Sequence, residues 1–284
     1  MSSNILVSVN QLIDLIEAGN CTVVDCRFDL SDAKKGRADW LSGHIPGAHY
    51  AHMDDDLASP VLPGTGRHPL PATSGFAEYL SSIGWSEGKL LVAYDAGSNA
   101  FSARLWWLMR YYGKTSALLD GGLGAWMRAD LPLETGAAQA ERSSITGLQP
   151  LDNMTVSSGT VYENLDSSQL LVMDARAAMR YSGEVEPLDS RAGHIPGAIN
   201  RPFDQNLAKD GRFLDPETLS AQFEKLLGGT DVGNVVQSCG SGVTACHNLF
   251  AMELAGMGAS RLYPGSWSEW VSDPGRPVKK GSAP

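Results

Sequence analysis

Apolar residues recur at helical spacing over Val9 to Glu17, where Leu12, Ile13, Leu15 and Ile16 share one face. Residues 22–25 then read as a short β-rich run. The same alternation continues: helix over Phe76 to Ile83, strand over Leu90 to Tyr94, helix over Ala100 to Tyr112, and a last strand at Leu118-Leu119. Strands that alternate with helices predict a parallel sheet covered on both faces. In such a sheet the pair Trp106-Trp107 is expected to fill the core rather than to form a cofactor platform.

The pattern occurs twice. Gly43-His44-Ile45-Pro46-Gly47-Ala48 returns as Gly193-His194-Ile195-Pro196-Gly197-Ala198. Upstream, Val23-Val24-Asp25-Cys26-Arg27 answers to Val172-Met173-Asp174-Ala175-Arg176. Downstream, Leu90 to Asp95 answers to Asn234 to Cys239, and Leu118 to Trp126 answers to Leu262 to Trp270. Matches in one order imply a duplicated unit. Gly136 to Asn153 is small, polar and aperiodic, as a linker is. The expected architecture is α/β, with two tandem domains at 1–145 and 146–284, each a mainly parallel sheet flanked by helices. Pro274 to Pro284 shows no apolar pattern and is expected to trail over the surface.

Composition narrows the function class. A formal net charge of −10 and a pI near 5.0 argue against general affinity for nucleic acid or anionic membrane, while leaving room for a local basic pocket. No apolar stretch approaches the length of a membrane span. Met1 to Asn10 lacks a basic start followed by an apolar run, so a cytoplasmic location is expected. Cys21, Cys26, Cys239 and Cys246 are too few for a disulfide scaffold and lack zinc-ligand spacing, so neither metal nor cofactor is expected. Packing accounts for Cys21, Cys26 and Cys246.

Cys239 differs from the other three. It follows the apolar run Val235-Val236-Gln237 and precedes a helical pattern from Ala245 to Leu254, inside the Gly-rich Cys239-Gly240-Ser241-Gly242-Val243-Thr244-Ala245. Converging backbone N–H groups and a helix start favour negative charge, and hence a nucleophilic thiolate. The first half has Asp95-Ala96-Gly97-Ser98 at the equivalent point and is expected to be catalytically silent. A cysteine phosphatase would need an arginine six positions after its cysteine to clamp phosphate; position 245 is alanine. Gly240, Gly242 and Ala245 leave room for one atom attached to sulfur. That suits a persulfide, and so sulfur transfer in two steps through a covalent intermediate.

These loops resemble the two-domain rhodanese-type sulfurtransferases along nearly the whole chain. Cys-Gly-Ser-Gly-Val-Thr-Ala is similar to the signature of the 3-mercaptopyruvate members; thiosulfate-specific members usually place basic residues after the cysteine. The doubled Gly-His-Ile-Pro-Gly-Ala and Gly265-Ser266-Trp267-Ser268-Glu269-Trp270 fit the same family. The resemblance implies a silent N-terminal domain and an active C-terminal one. It also implies that Ser241 works with His68 and Asp54 in moving a proton, with Asp55 or Asp56 as alternatives for the aspartate. Arg180 matches an arginine that binds the substrate carboxylate, while Gly240, Gly242, Val243 and Thr244 surround the reacting sulfur. Nine positions after Arg180 the family usually has a second arginine; here stands Asp189, with Arg191 nearby as a possible substitute. That departure leaves 3-mercaptopyruvate and thiosulfate both open as donors.

The plainer alternatives differ by residue. Cys239 could be a buried structural thiol, but its loop argues otherwise. Ser241 and Thr244 could cap the loop, His68 could be an exposed turn residue, and Arg180 could sit in a surface ion pair. His44, His194, Asp25 and Asp174 occur in both halves, so a shared fold role is expected for them. The function expected is sulfur transfer to cyanide, a small thiol or a thiol protein such as thioredoxin. The rivals are a thiosulfate-preferring enzyme, a phosphatase on a related scaffold, and a persulfide carrier or redox-sensing module that turns nothing over.

Overall fold

The computed structural model describes residues 5–167 and 169–284. The first four residues of the stretch read for a leader lie outside these. Contacts divide the chain into two compact units, the first comprising Met1–Ser59, Leu70–Leu151 and Lys209–Phe213, and the second Pro60–Pro69, Asp152–Ala208 and Leu214–Pro284. Two short segments are therefore counted with the unit opposite to their place in sequence. Phe213, for example, donates its N–H to the Asp120 carboxylate (3.0 Å).

In the first unit β1 (Leu6–Val7), α1 (Val9–Glu17), β2 (Cys21–Asp25), α2 (Lys35–Ser42), β3 (His49–Tyr50), α3 (Thr73–Ser82), β4 (Leu90–Tyr94), α4 (Ser102–Tyr111), β5 (Ser116–Leu119) and α5 (Gly122–Arg128) follow one another. The sheet order is β1-β5-β4-β2-β3, all pairs parallel. Helix α1 begins where the sequence closes a capping box: Ser8 Oγ accepts from the Gln11 N–H, and Gln11 Oε1 accepts from the Ser8 N–H. Its apolar face joins Val23, Val92, Tyr94 and Leu119 in the core, and Trp106 and Trp107 are buried as expected.

The second unit runs α6 (Ser158–Glu163), β6 (Leu171–Asp174), α7 (Ala178–Ser182), β7 (Ile199–Asn200), α8 (Pro216–Leu227), β8 (Val235–Ser238), α9 (Ala245–Leu254), β9 (Arg261–Leu262) and α10 (Ser266–Trp270). Its parallel sheet has the order β7-β6-β8-β9, and Thr155 bridges to Leu262 where β1 pairs with β5 in the first unit.

The repeated residues do the same job in both units. Arg27 grips Asp25 (Nη2–Oδ2 2.6 Å) and donates to the Gly43 carbonyl (2.7 Å); Arg176 grips Asp174 (2.7 Å) and donates to the Gly193 carbonyl (2.8 Å). Each Asp-x-Arg thus ties a strand end to the loop that starts Gly-His-Ile-Pro-Gly-Ala. In that loop, buried His44 and His194 direct Nδ1 at the carbonyls of Trp40 (2.7 Å) and Tyr181 (2.9 Å). A carbonyl only accepts, so the proton sits on Nδ1. Their backbones exchange paired hydrogen bonds with Glu134 and Lys279. The C-terminal segment lies at the surface but does not trail there. Lys279 pairs with His194, the Gly281 N–H donates to Ser182, and Trp270 Nε1 donates to Pro277 (2.8 Å), as Trp126 does to Pro132 (2.9 Å). The segment carries no periodic signal because backbone groups, not an apolar face, hold it.

Asp25 is fully buried, so removing its partner strands a charge. Arg27→Leu should therefore destabilise the protein by about 3 kcal/mol in urea titrations. A loss within the surface-pair range of roughly 1 kcal/mol would show that the tie is dispensable.

Candidate active site

Cys239 leaves the carboxyl end of β8, which lies between β6 and β9. Ligands of open α/β sheets bind at such ends. The thiol residue is 2 % exposed. The turn from strand to α9 is held from behind by the start of α10. Cys239 donates its N–H to Ser266 Oγ (3.0 Å), while its carbonyl and that of Gly240 accept from the N–H groups of Trp267 (3.0 Å) and Ser268 (2.9 Å). Ser266 Oγ in turn donates to the Tyr263 carbonyl (2.9 Å). Ser266 holds φ 52°, an uncommon value for a residue with a side chain. Gly242 is at φ 74°, and a Cβ there would lie 2.3 Å from the Pro264 oxygen. Among the described residues no protein group accepts from the N–H of Ser241 or Val243.

The corresponding turn of the first unit, with its positive φ at Asn99 (57°), holds a negative group. Asp95 stands where Cys239 does and is buried, and its carboxylate accepts from the N–H groups of Gly97 (3.0 Å), Asn99 (2.8 Å) and Phe101 (2.9 Å). Its carbonyl and that of Ala96 accept from Leu123 (2.9 Å) and Gly124 (3.0 Å), the same backing that Trp267 and Ser268 give. Burial raises the Asp95 carboxyl above its ordinary value, and the N–H donors oppose that rise. Two, four and six positions on from Cys239 stand Ser241, Val243 and Ala245.

The segment Gly66–His68 belongs to the second unit and lies against the same turn. A Cβ on Gly66 would sit 2.5 Å from the Gly265 oxygen, and the Arg67 N–H donates to Ser268 Oγ (3.0 Å). His68 Nδ1 is 2.7 Å from Ser241 Oγ, with both residues 5 % exposed. His68 is thus buried and paired rather than an exposed turn residue. Thr244 makes no side-chain cap on α9 and is half-buried. Asp54 lies in the first unit, in the turn after β3, where its N–H donates to His52 Nδ1 (3.3 Å). Burial raises its carboxyl, and His52 partly offsets this.

Arg180 faces the loop: an ideal Cβ on Gly240 would lie 3.5 Å from Arg180 Nη1 and 2.8 Å from Arg67 Nη2. Arg180 pairs with Glu186 (2.7 Å) and Asp189 (3.2 Å), and Arg67 pairs with Asp189 from the other side. Glu186 continues the chain to Arg176 (3.3 Å), whose guanidinium rests 4.7 Å over the Trp267 ring. Burial pulls the Glu186 carboxyl up, but hydrogen bonds and charge from Arg180 leave it lowered overall. Burial dominates at Asp189 and raises it despite Arg67 and Arg180. Arg191, the substitute expected for the missing arginine, donates from Nη1 to the Arg276 carbonyl (2.9 Å). Sequence reasoning missed Arg67, Ser266 and the pairing of Asp189. Only Ser266 had a signal, as part of a motif that matched without an assigned role.

Cavities of about 500 Å³ (lined by Cys21, His49 and Lys89, among others) and 190 Å³ (at Arg27, Phe28 and Asp95) lie in the first unit and exclude Cys239. Burial pushes the Cys21 thiol up to about 11, which makes it a poor nucleophile near neutral pH. Cys246 donates to the Gly242 carbonyl (3.3 Å) and belongs to the packing of α9. Among the described residues no cluster of three or more His, Cys, Asp or Glu side chains could hold a metal, and no helix is long and apolar enough to cross a membrane.

Comparison with known proteins shows the family. The model of the rhodanese-like domain matches residues 8–129 and 157–273. The chain belongs to the rhodanese family, as a two-domain sulfurtransferase. It is 47% identical over 284 residues, 99% of this chain and 100% of the relative, to a probable 3-mercaptopyruvate sulfurtransferase of Pseudomonas aeruginosa. It is 38% identical over 283 residues, 98% of each chain, to the putative thiosulfate sulfurtransferase SseB of Mycobacterium tuberculosis. Among solved structures, SseA from Escherichia coli superposes with a TM-score of 0.78 at 31% identity, over 93% of this chain and 99% of that one.

Gly242→Ala forces a side chain into left-handed backbone and against Pro264. The substitution should lower stability by at least ~1–2 kcal/mol and slow alkylation of Cys239 by iodoacetamide. Unaltered melting and labelling would mean that the loop tolerates another path.

Proposed function

We propose that Cys239 takes sulfane sulfur from 3-mercaptopyruvate and passes it to a nucleophilic acceptor. The observation that carries this reading is the Asp95 turn: the corresponding turn of the first unit, backed in the same way, converges three N–H groups on one carboxylate. With Cys239 in that place, the N–H groups of Ser241, Val243 and Ala245 would converge on the outer sulfur of Cys–S–S⁻ and stabilise its charge. The names of the relatives from P. aeruginosa and M. tuberculosis support the two donors considered.

The Cys239 thiolate attacks the donor sulfur. The carbon–sulfur bond breaks, its electron pair leaves as the enolate of pyruvate, and a proton reaches the enolate carbon. The Ser241–His68 contact (2.7 Å) supports a role for that pair in delivering the proton; the family resemblance adds Asp54 to the relay. Arg180 holds the donor carboxylate, Gly240 and Gly242 keep the loop close, and Val243 and Thr244 complete its wall. In the second step the acceptor (cyanide, a small thiol, or a thiol protein such as thioredoxin) attacks the outer sulfur and regenerates the thiolate. The first domain, with Asp95 in the cradle, forms no persulfide. A cytoplasmic setting suits free thiols of this kind.

Thiosulfate is the second donor reading, with sulfite as its leaving group; Asp189 in place of a second arginine favours it. Sulfite leaves without needing a proton on carbon, so the two donors are separable. Ser241→Ala and His68→Gln should each lower kcat with 3-mercaptopyruvate by 10- to 100-fold or more and leave thiosulfate turnover nearly intact. Equal losses on both donors would remove the relay.

Intact-mass and peptide spectra after donor treatment should show one added sulfur on Cys239 in the wild type and none in Cys239→Ser. Continued transfer by the serine variant would falsify the assignment of the nucleophile. Persulfide formation without multiple turnover on cyanide or thiols would instead identify a carrier.

A further inference from the structure

We propose that Arg67 supplies the second guanidinium of the donor site, and that Asp189 bridges it to Arg180 as an internal carboxylate which the donor's anionic group displaces. The inference rests on the sulfur-transfer reading and adds a residue to it. Three observations carry it. First, both guanidinium groups face the backbone of Gly240, next to the nucleophile: a Cβ there would lie 2.8 Å from Arg67 Nη2 and 3.5 Å from Arg180 Nη1. Second, Asp189 is held from both sides, by Arg67 and by Arg180 (3.2 Å), so a carboxylate already sits between two arginine forks in the way a bound carboxylate would. Third, the side chains of Arg67 and Arg180 remain 29 % and 20 % exposed, whereas Glu186 and Asp189 are 3 % and 5 % exposed. An arriving anion therefore meets guanidinium edges before carboxylates.

The local charge is balanced. Arg67, Arg180 and Arg176 face Asp189, Glu186 and Asp174 in an alternating chain. A lone Asp189 beside Arg180 would repel a donor carboxylate; Arg67 offsets it. Arg67 also adjoins His68 in sequence, so one segment would bring both the anion contact and the proton-transfer histidine to the loop. Asp189 is then a positioning residue: it sets the spacing of the two forks and weakens the site for anions that cannot replace it.

The test uses two alkylating agents of nearly equal size, iodoacetate and iodoacetamide, which differ in the carboxylate. The full-length protein is labelled, the rate at Cys239 is followed by peptide mass spectrometry, and the iodoacetate-to-iodoacetamide ratio is normalised to that of a free cysteine derivative. Arg67→Gln and Arg180→Gln should each lower the ratio about tenfold or more. Arg67→Lys should retain part of it, and Asp189→Asn should raise it several-fold. A structural defect would slow both reagents alike and leave the ratio where it was. An unchanged ratio in Arg67→Gln, or equal slowing of both reagents, would overturn the role of Arg67. An unchanged ratio in Asp189→Asn would overturn the bridge. If Arg67→Gln loses the ratio yet still takes up one sulfur at Cys239 from excess donor, the inference and the reading beneath it both stand. A Cys239 that resists both reagents until the protein unfolds would remove the nucleophile, and the inference with it.

Discussion

Backbone N–H groups converging on one buried negative charge are the interaction on which the rest of this protein depends. The convergence is seen at the carboxyl end of β4 and proposed at that of β8, each a turn that passes from a central parallel strand into a helix. Such a turn leaves its amides unpaired within secondary structure, and buried donors must find a partner. In the first unit the partner is the Asp95 carboxylate. In the second, the proposed partner is the sulfur carried by Cys239. The features around the turn serve this geometry. The carbonyls of Cys239 and Gly240 are tied to α10, which fixes the start of the turn. Gly242 adopts the positive φ the reversal needs, and Ser266 secures the Cys239 N–H from an uncommon conformation of its own. Strain held at a residue that orients a reactive group is a familiar use of conformational energy.

Around that loop, charge is handled by alternation. Arg176 is nearly fully buried and would be costly alone; Asp174, Glu186 and the Gly193 carbonyl take up its donors, and Trp267 lies beneath it. Its copy in the first unit, Arg27, has Asp25 and Gly43 in the same relation without the further chain. The shared part of the pattern is therefore structural, and the added part, running through Glu186, Arg180, Asp189 and Arg67, belongs to the unit with the cysteine. Duplication separates the two in a way that a single domain could not.

What could be read from the sequence follows from the range of the interactions. Strands β2 and β4, helix α1 and the cysteine loop were legible because their signals are local: alternation, helical spacing and a Gly-rich turn. Helix α2 was not, since only Gly36 and Trp40 are buried on it and it has hardly any amphipathic pattern. Helix α9 is buried on nearly every side, so its period is faint, and the turn before it identified it. The repeats disclosed the fold roles of His44, His194, Asp25 and Asp174, because a function confined to one unit would not be kept in both. Arg67 was invisible for the opposite reason. It occurs once, and its partner lies 122 residues away. The assignment of Pro60–Pro69 to the second unit and of Lys209–Phe213 to the first likewise depends on contacts that no local pattern encodes.

The silence of the first unit has more than one cause. Replacing cysteine by aspartate fills the cradle with a resident anion, and an occupied cradle has no amide left for a sulfur. Restoring a thiol there would not restore a site. Counting on from Arg27 as Arg180 follows Arg176, the first unit has Ser31, an exposed residue bonded to Asp29. No guanidinium stands there to hold a donor anion. Persulfide chemistry needs both an anion cradle for the sulfur and a cationic fork for the rest of the donor. The first unit retains the cradle, which its fold supplies without special side chains, and lacks the fork, which needs arginines placed for that purpose. Selection for catalysis would act mainly on the second requirement, so the arginines and their carboxylate partners are where related chains with the same loop can diverge in the donors they accept.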